Sequence, residues 1–343
     1  MPPIQNLAAW LPGVGKELQV APASTPDPGE NELLIETKAV AVQPAEYKIQ
    51  EGILPFELTY PTIIGLSFAG IVVKVGAGVT RFKEGDRIVT NSAGTIRNDA
   101  RFGAYQRYAL TSQELTAKIG DVPFENASAI SSFYAAVSAL ILHLHLDRPS
   151  SNRKPSNKAK KVLIWGASSS FGAFAVQLAS NAGYTVVGVA SAHNAQLVEW
   201  LGAAHFIDRK SPSVVQDLTS LGPFEAVLAA ADSASDQVTI GQVLAAHGGG
   251  SFLSTMGVRK GVQLPPGVTG HFAQYLDDYL KPENREFSRW VWWNLIEEGL
   301  IDGKIKLLPV DILGGLSTVQ EAWNLEKNGQ VSGRRLIIRP DID

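Results

Sequence analysis

The residues around which the chain's chemistry is read lie in one short stretch, Gly166-Ala-Ser-Ser-Ser-Phe-Gly172. It follows an apolar run, Val162 to Trp165, of the length of a buried strand. Phe171, Phe174, Ala175, Leu178 and Ala182 then recur at helical spacing. A strand, a small-residue turn and a helix together offer backbone N–H groups and a positive helix end to a phosphate. In place of the middle glycine of the usual dinucleotide fingerprint stand Ser168, Ser169 and Ser170. Their hydroxyls are short donors that reach pyrophosphate or ribose oxygens. An ordinary β–α turn with capping serines is the competing reading.

Charge adds a second argument. An NAD site places Asp or Glu at the end of the second strand to hold the ribose hydroxyls. Here that strand ends Ala190-Ser-Ala-His-Asn194, without an acid. Ser191, His193 and Asn194 are neutral or positive donors at a helix start, and Arg209 follows the third strand. This set suits a 2′-phosphate, which a carboxylate would repel. NADPH is therefore the expected cofactor; a plain helix cap is the competing reading of residues 191–194.

The elements that must position these residues can be read in order. The chain has 343 residues, enough for two domains. From 162 onward, strand-like runs at 185–190, 205–208, 224–230 and 251–254 alternate with helical patterns at 193–201 and 235–246. That alternation predicts a doubly wound parallel sheet, an α/β Rossmann domain. Residues 1 to about 125 are β-rich instead, with runs at 32–42, 68–75, 87–90 and 104–110 between Gly/Pro turns. Such a pattern predicts a partly open β-barrel. The stretch 127–146 is apolar but interrupted by Ser, Tyr and His, and reads as a buried helix rather than a membrane span. Residues 147–161 are polar, basic and Pro/Ser-rich, the mark of a solvated loop. Near the end, 290–298 and 316–327 read as helices and 336–339 as a strand that returns to the first domain. Trp292 and Trp293 are expected in the core.

Composition excludes several classes. Net charge is −3, so no basic field points to nucleic acid. Cysteine count is zero, which removes thiolate catalysis and sulfur-held zinc, and fits a reducing compartment. The opening residues lack the basic and apolar regions of a secretory leader, so a cytoplasmic protein is expected.

At this point five pieces in order resemble one family. They are Ala41-Val-Gln-Pro-Ala-Glu-Tyr-Lys48, Tyr60-Pro-Thr-Ile-Ile-Gly-Leu-Ser-Phe-Ala-Gly70, the run 75–87, the 166–172 turn and Gly329-Gln-Val-Ser-Gly-Arg-Arg-Leu-Ile-Ile338. The chain resembles the medium-chain dehydrogenase/reductases. Through residues 191–194 and 331–333 it is most similar to the zinc-free fungal trans-acting enoyl reductases that partner polyketide synthases. The resemblance implies a GroES-like catalytic domain over 1–125 and 288–343, and a Rossmann NADPH domain over 126–287. Zinc-dependent members carry Gly-His-Glu where this chain has Gly65-Leu66-Ser67. His143 and His145, at i and i+2, point to different helix faces and do not restore a site. No metal is expected.

The resemblance also implies site residues. Lys48 bonds the nicotinamide ribose, with a surface lysine as the alternative. Gln43 and Pro44 flank it at the cofactor. Ser168, Ser169, Ser170 and Phe171 face the pyrophosphate, and Ser191, His193, Asn194 and Arg209 the 2′-phosphate. Arg209 stands where that group often has Tyr. Val331 and Ser332 lie near the carboxamide. Phe133, Tyr134 and Met256 line the substrate pocket, with core packing as the alternative for Tyr134. Tyr47 is protonated near neutral pH and can serve as general acid beside Lys48, or else pack in the barrel wall. The expected reaction is hydride transfer from NADPH to an alkene conjugated to a carbonyl. The expected substrate is a small polyketide-type intermediate, carrier-bound on a synthase, with the enzyme a monomer or homodimer. Quinone reduction and a non-reductive reaction on the same fold are the alternatives.

Overall fold

The computed structural model describes residues 5–54, 56–149 and 157–342. Residues 1–4, on which the expected lack of a leader partly rests, and 150–156, the centre of the basic run, lie outside them. The chain forms two compact units, one of 1–131 with 279–343 and one of 132–278. The sequence reading places these joins at 125/126 and 287/288.

The second unit is a six-stranded parallel sheet. In spatial order its strands are His205–Asp208, Thr185–Ala190, Lys161–Trp165, Ala226–Ala229, Gly250–Ser254 and Val268–His271. In chain order this is 3-2-1-4-5-6, so the direction of winding reverses between the first strand and the fourth. Ligands in such sheets bind beyond the carboxyl ends of the strands at that reversal. Val162, Leu163, Ile164 and Trp165 are all buried, as a strand covered on both faces requires. The helices Ser170–Asn181, Ala195–Leu201, Val214–Leu221 and Ala234–Ala246 follow the first four strands. The sixth strand is absent from the strand-like runs read from the sequence. Its residues, Val-Thr-Gly-His, carry no apolar run; backbone pairing with residues 250–253 defines it.

The apolar stretch 127–146 is not one helix. It is divided among Phe124–Ser128, Phe133–Ser138 and a π-helical turn, Ala139–His143. Serine hydroxyls account for the break: Ser128 Oγ donates to the Glu125 carbonyl at 2.9 Å, and Ser131 Oγ accepts from Arg335 Nη2 at 2.6 Å. Among the described residues no helix is long and apolar enough to cross a membrane.

The first unit holds a seven-stranded sheet ordered Val310–Gly314, Arg335–Ile338, Glu32–Ala41, Ser67–Val75, Arg87–Asn91 and Thr116–Lys118, with Tyr108–Ser112 also on Glu32–Ala41. A smaller sheet joins Gln19–Ala23, Asn6–Leu11 and Thr62–Ile63. The closing strand does return to this unit, pairing Ile337 with Ala41 and Ile338 with Val40. The expected strand at 104–110 begins only at Tyr108. Ala104 and Tyr105 donate instead to Gly65 and Ile64, and Arg107 to Leu7, so this stretch bridges two segments rather than one ladder. Residues 285–301 are helical, but Trp290–Ile296 is wound as a π-helix. Trp292 is buried; Trp293 is only half-buried, with Arg81 and Arg289 cations 5.1 and 5.0 Å from its ring. Helices Pro44–Gln50 and Val319–Lys327 pack side by side, joined by Gln50 Nε2 to Gln320 Oε1 at 2.8 Å and by the Lys327–Glu51 ion pair.

The turn after the first parallel strand depends on one glycine. Gly166 has φ of +76°, and a Cβ there would lie 2.6 Å from the Ala231 nitrogen. Gly166→Ala is expected to cost about 1–3 kcal/mol of stability. A lower urea midpoint with unchanged m-value would show it; an unshifted midpoint would mean that the turn is not constrained as described.

Candidate active site and cofactor cradle

In the second unit the turn becomes a cradle. Ser169 accepts the Gly172 N–H at 3.0 Å and caps the helix that begins at Ser170. Gly172 sits directly under the Gly166 carbonyl, leaving no room for a side chain. Ser168, Ser169 and Ser170 are half-buried at the helix entrance. Asn194 Nδ2 donates to Ser168 Oγ at 3.0 Å, which ties the end of the second strand to the turn. Arg209 is exposed, and its backbone N–H donates to the Ala190 carbonyl at 2.9 Å, which anchors its backbone next to Ser191. His193 is exposed and Ser191 half-buried. The donors expected for pyrophosphate and 2′-phosphate therefore stand at the ends of three adjacent strands, and the residues present fit a dinucleotide.

The walls of this unit are held by buried carboxylates that the sequence reading did not single out. Asp232 accepts from Ser254 Oγ at 2.9 Å and pairs with Arg259 at 2.7 Å, while Gln237 Nε2 donates to the Gly257 carbonyl at 2.7 Å. Met256, whose N–H donates to Ser254 Oγ at 3.2 Å, is positioned by this network. Asp278 takes Ser138 Oγ at 2.5 Å and His143 Nε2 at 2.7 Å. Because the carboxylate is the hub, Ser138 is not activated through His143. Phe133 is buried edge-on to Phe174 at 5.3 Å, Phe171 lies 5.3 Å from the Tyr275 ring, and Tyr134 is half-buried. Burial, with Asp278 and Tyr134 nearby, pushes the Tyr275 phenol well up.

In the first unit Gln43, Pro44, Tyr47 and Lys48 share one short helix and its N-cap. Pro44 is exposed; Tyr47 and Lys48 are half-buried, with the Lys48 ammonium 6.0 Å from the Tyr47 ring centre. Lys48 also lies within electrostatic reach of Glu326, near the end of the helix that runs on towards Val331 and Ser332. Val331 packs on the core and Ser332 is exposed. These residues thus belong to one neighbourhood of the unit.

Beneath them lies Glu46, fully buried. Its Oε2 accepts from the Gln43 N–H at 3.0 Å, Tyr105 Oη at 2.5 Å and Trp323 Nε1 at 3.2 Å; its Oε1 accepts from the Leu66 N–H at 3.1 Å. Burial is the largest influence and raises its pKa, while these donors and the Arg335 charge pull it down; the balance leaves it at about 7. Arg335 is itself buried, and burial pulls its pKa below the ordinary value, against the charges of Glu326 and Glu46. Glu46 stands three residues after the N-cap Gln43, the spacing of a capping box, but Gln is not a favoured cap, so the sequence carries no sign of Glu46. Its contacts with Tyr105 and Trp323 are too distant in sequence for any local pattern to show.

Comparison with known proteins agrees with this architecture. Residues 29–121 match the alcohol dehydrogenase GroES-like domain. The trans-enoyl reductase himH of Aspergillus japonicus is 34% identical over 97% of each chain. The dehydrogenase azaJ of Aspergillus niger is 31% identical over 97% of this chain and 98% of its own. Among solved structures, the CurK enoyl reductase superposes with a TM-score of 0.76 at 19% identity, covering 98% of this chain and 99% of its own. A quinone oxidoreductase of Pseudomonas syringae pv. Tomato gives 0.77 at 21%, covering 98% of this chain and 100% of its own.

The Glu46 carboxyl makes stability depend on pH. Its folded pKa, about 7, lies above the ordinary 4.5, so the folded state holds the proton more tightly. The resulting stabilisation is complete below about pH 4.5 and is lost as pH rises through 7, on the order of 3 kcal/mol in all. Urea titrations of the native protein and Glu46→Gln between pH 5 and 8 check this. The native protein should lose stability relative to the variant as pH rises; parallel curves would contradict it.

Proposed function

Because the chain belongs to the medium-chain dehydrogenase/reductase family, we propose that it is an NADPH-dependent, metal-independent reductase of alkenes conjugated to a carbonyl, acting on a polyketide-type intermediate. Family membership makes it an enoyl reductase-like oxidoreductase that uses a nicotinamide cofactor. The finer reading rests on one observation. Where zinc-dependent members carry Gly-His-Glu, this chain has Gly65-Leu66-Ser67, and the Leu66 backbone is fastened to Glu46. In a chain with no cysteine, that donor set does not suit a catalytic zinc ion. Likeness to a trans-enoyl reductase along nearly the whole chain supports the substrate class.

The proposed roles are those that the family resemblance implies, and the placements are compatible with them. Ser168, Ser169, Ser170 and Phe171 hold the pyrophosphate at the helix entrance. Ser191, His193, Asn194 and Arg209 take the 2′-phosphate, with no acid among residues 191–194 to oppose it. Lys48 bonds the ribose, Gln43 and Pro44 lie beside it, and the backbone at Val331 and Ser332 holds the carboxamide. Tyr134 and Met256 face the substrate, and Phe133 supports them from the core. A bound reduced nicotinamide supplies the hydride that adds to the β-carbon. Tyr47 then gives the α-carbon a proton, so the product gains two hydrogens. Tyr47 acts in its protonated form, which a phenol keeps at neutral pH. A carrier protein of a polyketide synthase presents the acyl chain as a thioester.

Loss of NADPH absorbance against panels of enones, enoyl thioesters and quinones tests the reaction. Turnover of the first two, with a product heavier by two hydrogens, is expected; turnover of quinones alone would overturn it. Arg209→Ala should weaken NADPH binding roughly tenfold and leave NADH binding unchanged, as befits loss of one charge-assisted hydrogen bond. Equal affinity of the unaltered protein for both dinucleotides would refute the phosphate assignment.

A further inference from the structure

Three buried donors without acceptors stand on segments that the backbone joins near Glu46. Gln43 is 7% exposed and Asn91 1%, yet among the described residues the Gln43 Nε2 and Asn91 Nδ2 amides have no hydrogen-bond partner. Arg335 is buried too, and its Nε is unpartnered although Nη2 bonds Ser131. Leaving such groups unpaired is costly, and a native protein that does so usually keeps them for a ligand or a catalytic task.

The backbone brings these three residues together. Gln43 and Leu66 each donate a backbone N–H to the same Glu46 carboxylate, at 3.0 and 3.1 Å. Asn91 stands opposite Ser67, the neighbour of Leu66, in the antiparallel ladder. Val42, the neighbour of Gln43, donates to the carbonyl of Leu336, the neighbour of Arg335. All the orphan groups in this set are N–H donors. Glu46 does not absorb them, because its Oε2 already takes three donors and its Oε1 the Leu66 N–H. The missing partner is therefore an acceptor oxygen from outside the chain. Gln43 and Asn91 offer neutral amide donors, which suit a carbonyl oxygen and are drawn on most as negative charge develops on it.

We propose that the side-chain amide of Gln43 is a catalytic group, donating through Nε2–H to the substrate carbonyl oxygen, with Asn91 Nδ2 as the second donor. The inference rests on the reductase reading above and gives that reaction its electrophile. Hydride arrives at the β-carbon, the π electrons move onto the carbonyl oxygen, and the two amides stabilise the enolate until the α-carbon is protonated. Glu46 is a positioning residue: it fixes the Gln43 backbone so that the amide is preorganised. Gln43 thereby acquires a role beyond a place beside the cofactor.

The test compares the unaltered protein with Gln43→Leu and Gln43→Glu, using a simple enone and NADPH. Three quantities are read: kcat, the NADPH Kd from fluorescence, and the carbonyl stretch of the enone bound beside oxidised cofactor, by infrared difference. Both variants should lose about 10²–10³ in kcat, the effect of removing one oxyanion donor, with NADPH Kd moved far less than kcat. The stretch should lie to the red in the unaltered protein and return towards its unbound value in the variants. Gln43→Glu keeps the side chain's length and replaces the donor with an acceptor, so it answers the question if Gln43→Leu does not fold. Should kcat survive within threefold, or its loss be matched by a weakened NADPH Kd with the stretch unmoved, Gln43 serves only the cofactor and the inference is overturned. If the unaltered protein reduces no enone, the reductase reading fails and this inference falls with it.

Discussion

A single buried carboxylate sets the geometry of the first unit. Glu46 draws in two backbone N–H groups, a phenol and an indole, each from a different stretch of chain. Burying a charge is expensive, and these donors offset only part of that cost, since burial still holds the carboxyl's pKa up at about 7. The return is positional. The helix that presents Tyr47 and Lys48, the segment at Leu66, the crossing at Tyr105 and the helix at Trp323 can satisfy the same two oxygens only in one mutual arrangement. Tyr105 and Trp323 are large, fully buried and edge-to-face at 5.8 Å, so the polar contact and the apolar core enforce one another.

The second unit solves a different problem with different means. Its parallel sheet reverses winding beside the strand Lys161–Trp165, which leaves a crevice at that strand's end. Close packing of Gly166 on Ala231 and of Gly172 under Gly166 lets the backbone turn tightly there. Serines then supply the donors that a purely glycine turn would leave to the backbone. The Asn194–Ser168 bond links this turn to the end of the neighbouring strand, where the Arg209 backbone is anchored.

What the sequence revealed and concealed follows from the range of the forces involved. The inner parallel strands could be read because each is buried on both faces and must be apolar throughout. Val268–His271 could not, since its place comes from backbone pairing. The first-unit strands at 6–11 and 19–23 were likewise missed; the second is largely exposed and carries little apolar signal. The single helix expected across 127–146 failed because serine hydroxyls bond local and distant partners. The candidate cofactor residues 168–171 and 191–194 lie on two successive β–α units, where local pattern suffices to name candidates. Asn91, Tyr105, Trp323 and Arg335 meet Glu46 or its surroundings only through long-range folding. No spacing rule connects residues 46, 105 and 323.

The central claim is that a nicotinamide hydride reaches the β-carbon of an enoyl substrate without help from a metal. Protein stripped of metal by exhaustive chelation, supplied with NADPH deuterated at the transferring C4 position and an α,β-unsaturated thioester, tests it directly. The account predicts undiminished turnover and a product with one deuterium, located at the β-carbon by NMR. A product without deuterium, or activity that disappears on chelation and returns with stoichiometric zinc, would contradict it.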